Sequence, residues 1–302
     1  MKKTDVTLTI LTPAFNREKE LVRLYDSLKK QTCRDFEWLV VDDGSRDNTR
    51  EKVIAWQEED ILPIRYLPKE NGGKHTALNV GISAIKSVLT FIVDSDDWLP
   101  EKAVETILKY HRKYSDTPGL CGYSFLRFYP DGRVNEAFFP ENERIDTYVN
   151  ARINGGIAGD KAEVFFTDIL KKYPFPVYKE EKFLPEDLIW VRMSGPYQMV
   201  HINECIYISE YLEGGLTKSG RRMKMKSPKG MTARSLVYLQ DEKVCRKAKL
   251  KMMLLYQVYG RLAGYSRADL RKDVPCRLLF LACRIPAGII LQDWKRKYMR
   301  VE

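Results

Sequence analysis

Apolar runs that break off into polar residues recur through the first third of the chain. Residues 6–12 (VTLTILT), 36–42 (FEWLVVD), 64–67 and 88–94 (VLTFIVD) predict four strands. The stretches between them carry apolar positions at helical spacing: 18–30, where Leu21, Leu24 and Leu28 share a face, then 47–58 with Asp47 or Ser45 as its cap, 74–87, and 101–113. Alternating strands and helices predict a parallel sheet covered on both faces, with ligands outside the carboxyl ends of the strands.

After about residue 118 the pattern changes. Residues 121–128, a turn at Asp131 and Gly132, and 134–139 predict a small antiparallel excursion. A loop with Gly155, Gly156 and Gly159 precedes a predicted helix over 161–172, with Asp160 and Lys161 at its start. Prolines at 174, 176 and 185 mark loops; 186–194 predicts a helix and 199–209 a strand. Residues 231–264 predict one long helix or two. There is no internal repeat or low-complexity linker.

Charge divides the molecule. From Arg221 to Glu302 there are 21 Lys and Arg against 6 Asp and Glu, or +15; the preceding 220 residues hold the remaining 30 and 35, or −5, for the total of +10. A near-neutral body with a cationic tail argues against nucleic acid as the partner and for an anionic surface met by one end. Within the tail, 276–291 (CRLLFLACRIPAGIIL) is strongly apolar, yet shorter than the roughly 20 residues a spanning helix needs, and it holds Arg284 and Pro286. Flanked by Arg271, Lys272, Arg277, Lys295, Arg296 and Lys297, it predicts an interfacial helix in peripheral contact with an anionic membrane; a helix packed on the body with a solvated charged face is the simpler alternative. The six cysteines show no metal-ligand spacing and no secretory segment precedes the first strand, so the expected location is cytoplasmic, peripheral at the inner face of the cell membrane.

The richest chemistry lies in FIVDSDDWLP, residues 91–100, where an apolar run ends in Asp94, Asp96 and Asp97. Carboxylates crowded at a strand mouth repel one another, so such a cluster points to a divalent cation, and the cation to a phosphate-bearing substrate. Polar residues also break the runs LTILTPAFN and WLVVDDGS, so three strand ends point to one site.

LTPAFNRE, FEWLVVDDGSRDNT, ENGGKHTALNVGI, VDSDDWLP and PEDLIW together resemble, in order and spacing, the family two glycosyltransferases of the GT-A fold over residues 5 to 215. The resemblance implies a GT-A, Rossmann-like doubly wound α/β domain over 1–220, with a nucleotide-binding half to about 117 and an acceptor half beyond it; the charge and periodicity of 221–302 add a basic, mostly helical extension. It implies a nucleotide-diphosphate sugar donor with Mn2+ or Mg2+. Asp96 would bind the metal, Asp94 the metal shell or ribose, with Ser95 between them; Asp97 is equally a cap for the helix from Glu101 or a hydrogen-bond acceptor behind the metal's ligands. Asp43 would accept from the base, favouring uracil, although Asp42 and Asp43 also suit an Asx turn through Gly44 and Ser45. Thr12, Pro13, Asn16 and Arg17 match the nucleotide-contacting loop. Asn71–Gly72–Gly73–Lys74 opens a helix whose backbone donors and Lys74 ammonium suit an anionic donor, and these glycines do not fit the dinucleotide fingerprint. His75 reads as a capping or hydrogen-bonding residue ahead of a catalytic one.

By the same resemblance Asp187 is the general base that takes the proton from the acceptor hydroxyl, with inversion at the anomeric carbon. Glu186 reads as a helix-start acid and Trp190 as core rather than a sugar platform. Glu213 to Thr217 with Lys218, Arg221 and Arg222 predicts a flexible, donor-rich loop, either one able to close over the diphosphate or a merely solvated basic loop. A clean QxxRW element is missing, which favours transfer of one sugar over polymerisation. The implied reaction is transfer from a UDP-sugar, or another nucleotide sugar, to a hydroxyl of a glycan; the cationic, apolar tail adds the expectation that this glycan is membrane-anchored, such as a polyprenyl-diphosphate-linked one in surface polysaccharide synthesis. The alternatives are a sugar nucleotidyltransferase, whose basic glycine-rich first loop is replaced here by TPAFN, and a non-catalytic membrane or nucleic-acid binding module.

Overall fold

A computed structural model describes residues 6–210 and 216–298. The chain forms two compact units. The first comprises the residues up to Thr147 with Ile157–Pro174 and Pro196–Glu210; the second comprises Tyr148–Gly156, Phe175–Gly195 and the residues from Leu216 onward. Two stretches that precede residue 220 thus pack with the C-terminal helices.

In the first unit β1 (Leu8–Ala14), α1 (Glu20–Lys29), β2 (Phe36–Asp42), α2 (Thr49–Glu58), β3 (Ile64–Pro68), α3 (Lys74–Ala84), β4 (Leu89–Ile92) and α4 (Ala103–Tyr114) alternate as their apolar patterns predict. Strands β1, β2 and β4 are almost wholly buried, because helices cover both faces. Leu8, Ile10, Trp38, Val40 and Phe91 pack against Leu21, Leu24 and Leu28 of α1, Val53 and Trp56 of α2 and Ile107 of α4. On the other face Gly81 of α3 sits so close to Leu11 and Val41 that a Cβ there would overlap them.

The unit continues with β5 (Leu120–Phe128), β6 (Arg144–Asp146), β7 (Lys161–Phe166), the short α5 (Thr167–Leu170) and β8 (Gln198–Ile208), completing an eight-stranded mixed sheet in the order β3-β2-β1-β4-β7-β5-β8-β6. Here the expectations need correction. Residues 161–166 form a strand rather than a helix, paired antiparallel with both β4 and β5. The stretch 134–139 makes a single bridge, Phe128 to Val134, after the predicted turn at Gly132; the Asn203 side chain then fastens Phe139 through its N–H and carbonyl, each at 2.8 Å. The antiparallel edge is supplied by β6 instead.

The sheet order has one consequence for function. The chain steps from β1 to β2 and β3 on one side, then returns to add β4 on the other. Pairing between β1 and β4 ends at Leu11 and Ile92, with one further bond from the Val93 N–H to the Leu11 carbonyl. Beyond it the two strands part, leaving a topological switch-point crevice at their carboxyl ends. Pro13, which lacks an N–H, is tolerated in mid-strand because β4 has ended beside it.

The second unit holds a π-helical turn (Val149–Asn154), α6 (Asp187–Met193), α7 (Leu216–Met225), α8 (Pro228–Gln240), α9 (Arg246–Leu262), α10 (Arg267–Lys272), α11 (Arg277–Ala282) and α12 (Arg284–Tyr298). Helix α8 begins with proline at its first position, and the Glu181 carboxylate accepts from the free N–H groups of Lys229 and Gly230 at 2.7 and 2.8 Å. The chain is helical from Leu216, where a flexible loop is expected; the rest of that expected loop lies outside the described residues. The apolar tail is two helices. Phe280, Cys283 and Ala287 are buried while Leu278, Leu281, Ile285 and Ile289 are exposed, so it both packs on the unit and presents an apolar face. Among the described residues no helix is long and apolar enough to cross a membrane.

Candidate active site

The acidic turn after β4 lies at the mouth of the switch-point crevice. Its fold is set by a bond from the Asp97 N–H to the Asp94 carbonyl (3.2 Å) and by Tyr207 of β8, whose hydroxyl accepts from the Asp94 N–H (2.9 Å) and donates to Asp97 Oδ2 (2.7 Å). Asp97 is therefore not the expected cap of a following helix. Asp94 pairs with Lys74 at the start of α3, and Arg127 of β5 sits 3.8 Å from both Asp94 and Asp97 with its guanidinium stacked 3.9 Å from the Tyr207 ring. Burial would raise the Asp94 carboxyl, but Lys74 and Arg127 hold it below the ordinary carboxylate range. Burial, and then the charge of Asp94, push Asp97 up to about 7.

Asp96 differs from both neighbours. Its carbonyl accepts from Arg23 at 2.5 Å, but among the described residues its carboxylate has no hydrogen-bond or ion-pair partner. Ser95 is buried between the two acids. Among the described residues no three acidic, His or Cys side chains gather to hold an ion unaided. One or two carboxylates are what a hard cation requires when substrate phosphates and water complete its shell, so a free Asp96 beside Asp94 fits Mn2+ or Mg2+ bound together with a diphosphate.

The loops after β1 and β2 are laced together. Asn16, with φ +53°, accepts from the Arg46 N–H at 2.8 Å and donates its own N–H to Ser45 at 2.9 Å; Thr49 accepts from Arg17 and Asp47 from Glu18. The Thr12 hydroxyl is buried and accepts from the Trp38 indole at 3.0 Å. Pro13 follows it in the strand, paired with Val41.

Asp42 makes the Asx turn, accepting from the Ser45 N–H at 2.8 Å, and its second oxygen takes the Tyr66 hydroxyl at 2.5 Å. Asp43 does something else. Its Oδ1 accepts from Lys69 (2.5 Å) and the Gly72 N–H (2.9 Å), and its Oδ2 from Asn71 (3.1 Å) and the Gly73 N–H (2.7 Å). A carboxylate has about four acceptor directions, and all four are taken. The glycine N–H groups expected to meet an anionic donor are thus turned onto Asp43. The fit is close: a Cβ on Gly44, at φ +78°, would come within 2.9 Å of the Asn71 nitrogen, and Gly73 enters α3 at φ +94°. His75 is buried in α3, and burial lowers the pKa of its imidazole.

In the second unit Asp187 opens α6. Arg234 of α8 grips it with Nε to Oδ1 at 2.6 Å and Nη2 to Oδ2, and the Tyr238 hydroxyl donates to Oδ2 at 2.7 Å. Its side chain is 21% exposed. Burial works against ionisation, but Arg234 and Tyr238 outweigh it and hold the carboxyl below its ordinary value of 3.8. Trp190 packs edge-to-face on Phe175 at 6.2 Å and is core, as expected. Sequence reading passed over Arg127, Tyr207, Lys69, Arg234 and Tyr238. Only the presence of Arg234 and Tyr238 one helical turn apart was open to inspection, and nothing local ties that pair to Asp187.

Replacing Arg234 by Met should destabilise the protein by about 3–5 kcal/mol at neutral pH, since it strands a mostly buried carboxylate. Because the folded pKa of Asp187 is depressed, the stabilisation is complete above the ordinary carboxylate value and is lost as pH falls through the folded one. Denaturant titrations of both proteins should therefore differ most near neutrality and converge in acid; a pH-independent difference would mean that the loss is one of packing.

The model of the family described as "Glycosyl transferase family 2" matches residues 9–173, more than half of the 302-residue chain. Glycosyltransferase GlyG of Streptococcus pneumoniae serotype 4 is 40% identical over 101 residues, 33% of each chain, and the chain spans about a third or less of the curated relatives first matched. The structure of S. aureus TarS 1-349 in complex with UDP-GlcNAc superposes with a TM-score of 0.66 at 19% identity, covering 97% of this chain and 92% of that one. Mannosyltransferase PcManGT from Pyrobaculum calidifontis, in complex with GDP-Man and Mn2+, gives 0.58 at 16%, covering 96% and 88%. The two structures establish the GT-A fold, and with the match to the family model the chain belongs to glycosyl transferase family 2.

Proposed function

We propose that the protein is an inverting, metal-dependent glycosyltransferase that moves one sugar from a UDP-sugar to a hydroxyl of a glycan in surface polysaccharide synthesis. The observation that carries this reading is the free Asp96 carboxylate beside Asp94 at the switch-point end of β4. A divalent cation held there would offset the charge of the departing diphosphate. Lys74 and Arg127 add positive charge around the same acidic turn. The UDP-GlcNAc complex of TarS and the Mn2+ complex of PcManGT support the donor and metal classes.

Asp187 is the proposed general base. As the acceptor oxygen bonds to the anomeric carbon and the bond from that carbon to the diphosphate oxygen breaks, the acceptor proton passes to the carboxylate and the nucleoside diphosphate leaves. A carboxylate held as an anion suits this, because the hydroxyl becomes strongly acidic only as the new bond forms. Incubation with labelled UDP-sugars and a membrane fraction should yield UDP and a glycan longer by one residue. Formation of UTP and sugar 1-phosphate when pyrophosphate is added would instead indicate nucleotidyl transfer.

The acceptor is lipid-linked, carried by a polyprenyl diphosphate, and the protein meets the membrane through its cationic tail. Support comes from the +15 charge of residues 221–302 and the apolar face left exposed on α11 and α12. The protein should sediment with anionic vesicles at low salt and be released as ionic strength rises. Partitioning unchanged by vesicle charge would remove this part of the reading.

A further inference from the structure

Helices α9, α10, α11 and α12 enclose an open cavity of about 650 Å3 that no part of the proposed reaction uses. Its lining includes Arg261, Arg267 and Arg284 together with Tyr265, Ile285 and Ile289. Gln257 is buried beneath it and donates to the Phe280 carbonyl at 2.7 Å, fixing α11 to α9. Arg261 reaches across to the carbonyl of Arg284 at 3.0 Å, over Gly288, where a Cβ would come within 3.1 Å of its Nη1.

Two facts about this lining are costly in isolation. Among the described residues none of the three arginines is paired with a carboxylate, so like charges share one concavity; burial and the charge of Arg284 lower the pKa of the Arg261 guanidinium. The apolar rim is bare as well: Ile285 is 75% exposed, Ile289 64%, and Leu278 80% further along. A soluble anion would answer the arginines and leave the isoleucines in water, and an apolar partner would do the reverse. An anionic bilayer answers both, its headgroup phosphates taking the guanidinium donors while the rim enters the acyl boundary.

We infer that this arginine-lined groove is a binding site for the headgroup phosphate of an anionic membrane lipid, with Leu278, Ile285 and Ile289 immersed beside it. The inference rests on the membrane-contact reading above and gives it a location. A diffuse cationic tail would serve membranes equally well through Lys295, Arg296 and Lys297, but Asp293 already pairs with Arg296 and Lys297 at 3.3 and 3.0 Å.

Flotation of the full chain with phosphatidylcholine vesicles, with and without phosphatidylglycerol, tests it. Arg267→Gln with Arg284→Gln should weaken binding to the anionic vesicles by about tenfold or more, at about 1 kcal/mol per cation. Lys295→Gln with Arg296→Gln, an equal change in charge, should weaken it far less, and Ile285→Ser with Ile289→Ser should abolish flotation while circular dichroism and melting stay unchanged. Equal losses in the two charge variants would overturn the groove and leave the membrane reading standing. Failure of the wild type to float would end both. Full protection of the groove by millimolar glycerol phosphate, indifferent to the isoleucine variant, would identify a soluble-anion site and overturn the lipid.

Discussion

Replacing Asp187 by Asn should abolish sugar transfer and leave donor binding intact. Among the described residues Asp187 accepts three hydrogen bonds, one on Oδ1 and two on Oδ2, which leaves one direction on Oδ1 for an acceptor hydroxyl. Asn preserves shape but cannot take a proton, and loss of a positioned base lowers turnover by about 10²–10⁴. Arg234 loses its anion in this variant, so the protein is also less stable and assays belong well below its melting temperature. The melting shift produced by a nucleotide sugar should match that of the wild type. A variant that keeps its turnover would remove Asp187 from the chemistry, and one that loses the donor shift would move it to the donor.

Asp96→Asn should behave in the opposite manner, losing the donor and the metal at almost no cost to the fold. Among the described residues the Asp96 carboxylate holds no partner, since Arg23 takes only its carbonyl. Removing it also relieves repulsion with Asp97, whose pKa burial and neighbouring carboxylates raise to about 7. Stability should therefore change by no more than about 0.5 kcal/mol, the range of uncoupled surface changes. Donor affinity in Mn2+ should fall by on the order of 10³, because the cation contributes several kcal/mol to a diphosphate complex. Titration of a nucleotide sugar by calorimetry reads this directly. Unchanged affinity would place the cation elsewhere; a large loss of stability would show that Asp96 has a partner in the fold.

The four parallel strands and their helices were legible in the sequence because each follows from local spacing: Leu21, Leu24 and Leu28 on one helix face, or seven buried residues in LTILTPA. Residues 161–172 were not. KAEVFF followed by TDILKK places Val164, Phe165, Ile169 and Leu170 at intervals that suit a helix, and only pairing with β4 and β5, strands distant in sequence, makes the first half extended. Propensity gives way to tertiary pairing there. The same limit applies to the site. Asp94, Asp96 and Asp187 stand out as residue types in context, whereas what each one does depends on partners far along the chain. Tyr207 is 113 residues from Asp94, and Arg234 is 47 from Asp187. Asp43 is the clearest case: its position after a buried strand could be read, but its use as a fastener for residues 69–73 could not, because two of its donors are backbone N–H groups.

On the proposed mechanism the acidic turn after β4 binds a nucleotide sugar by way of a divalent cation. A thermal-shift series of nucleotide sugars, each with and without Mn2+, addresses it in one experiment, since a ligand that binds only the folded state raises the melting temperature. UDP-sugars should raise it with Mn2+ and have little effect without. A melting temperature indifferent to every nucleotide sugar in the presence of the metal would contradict the account.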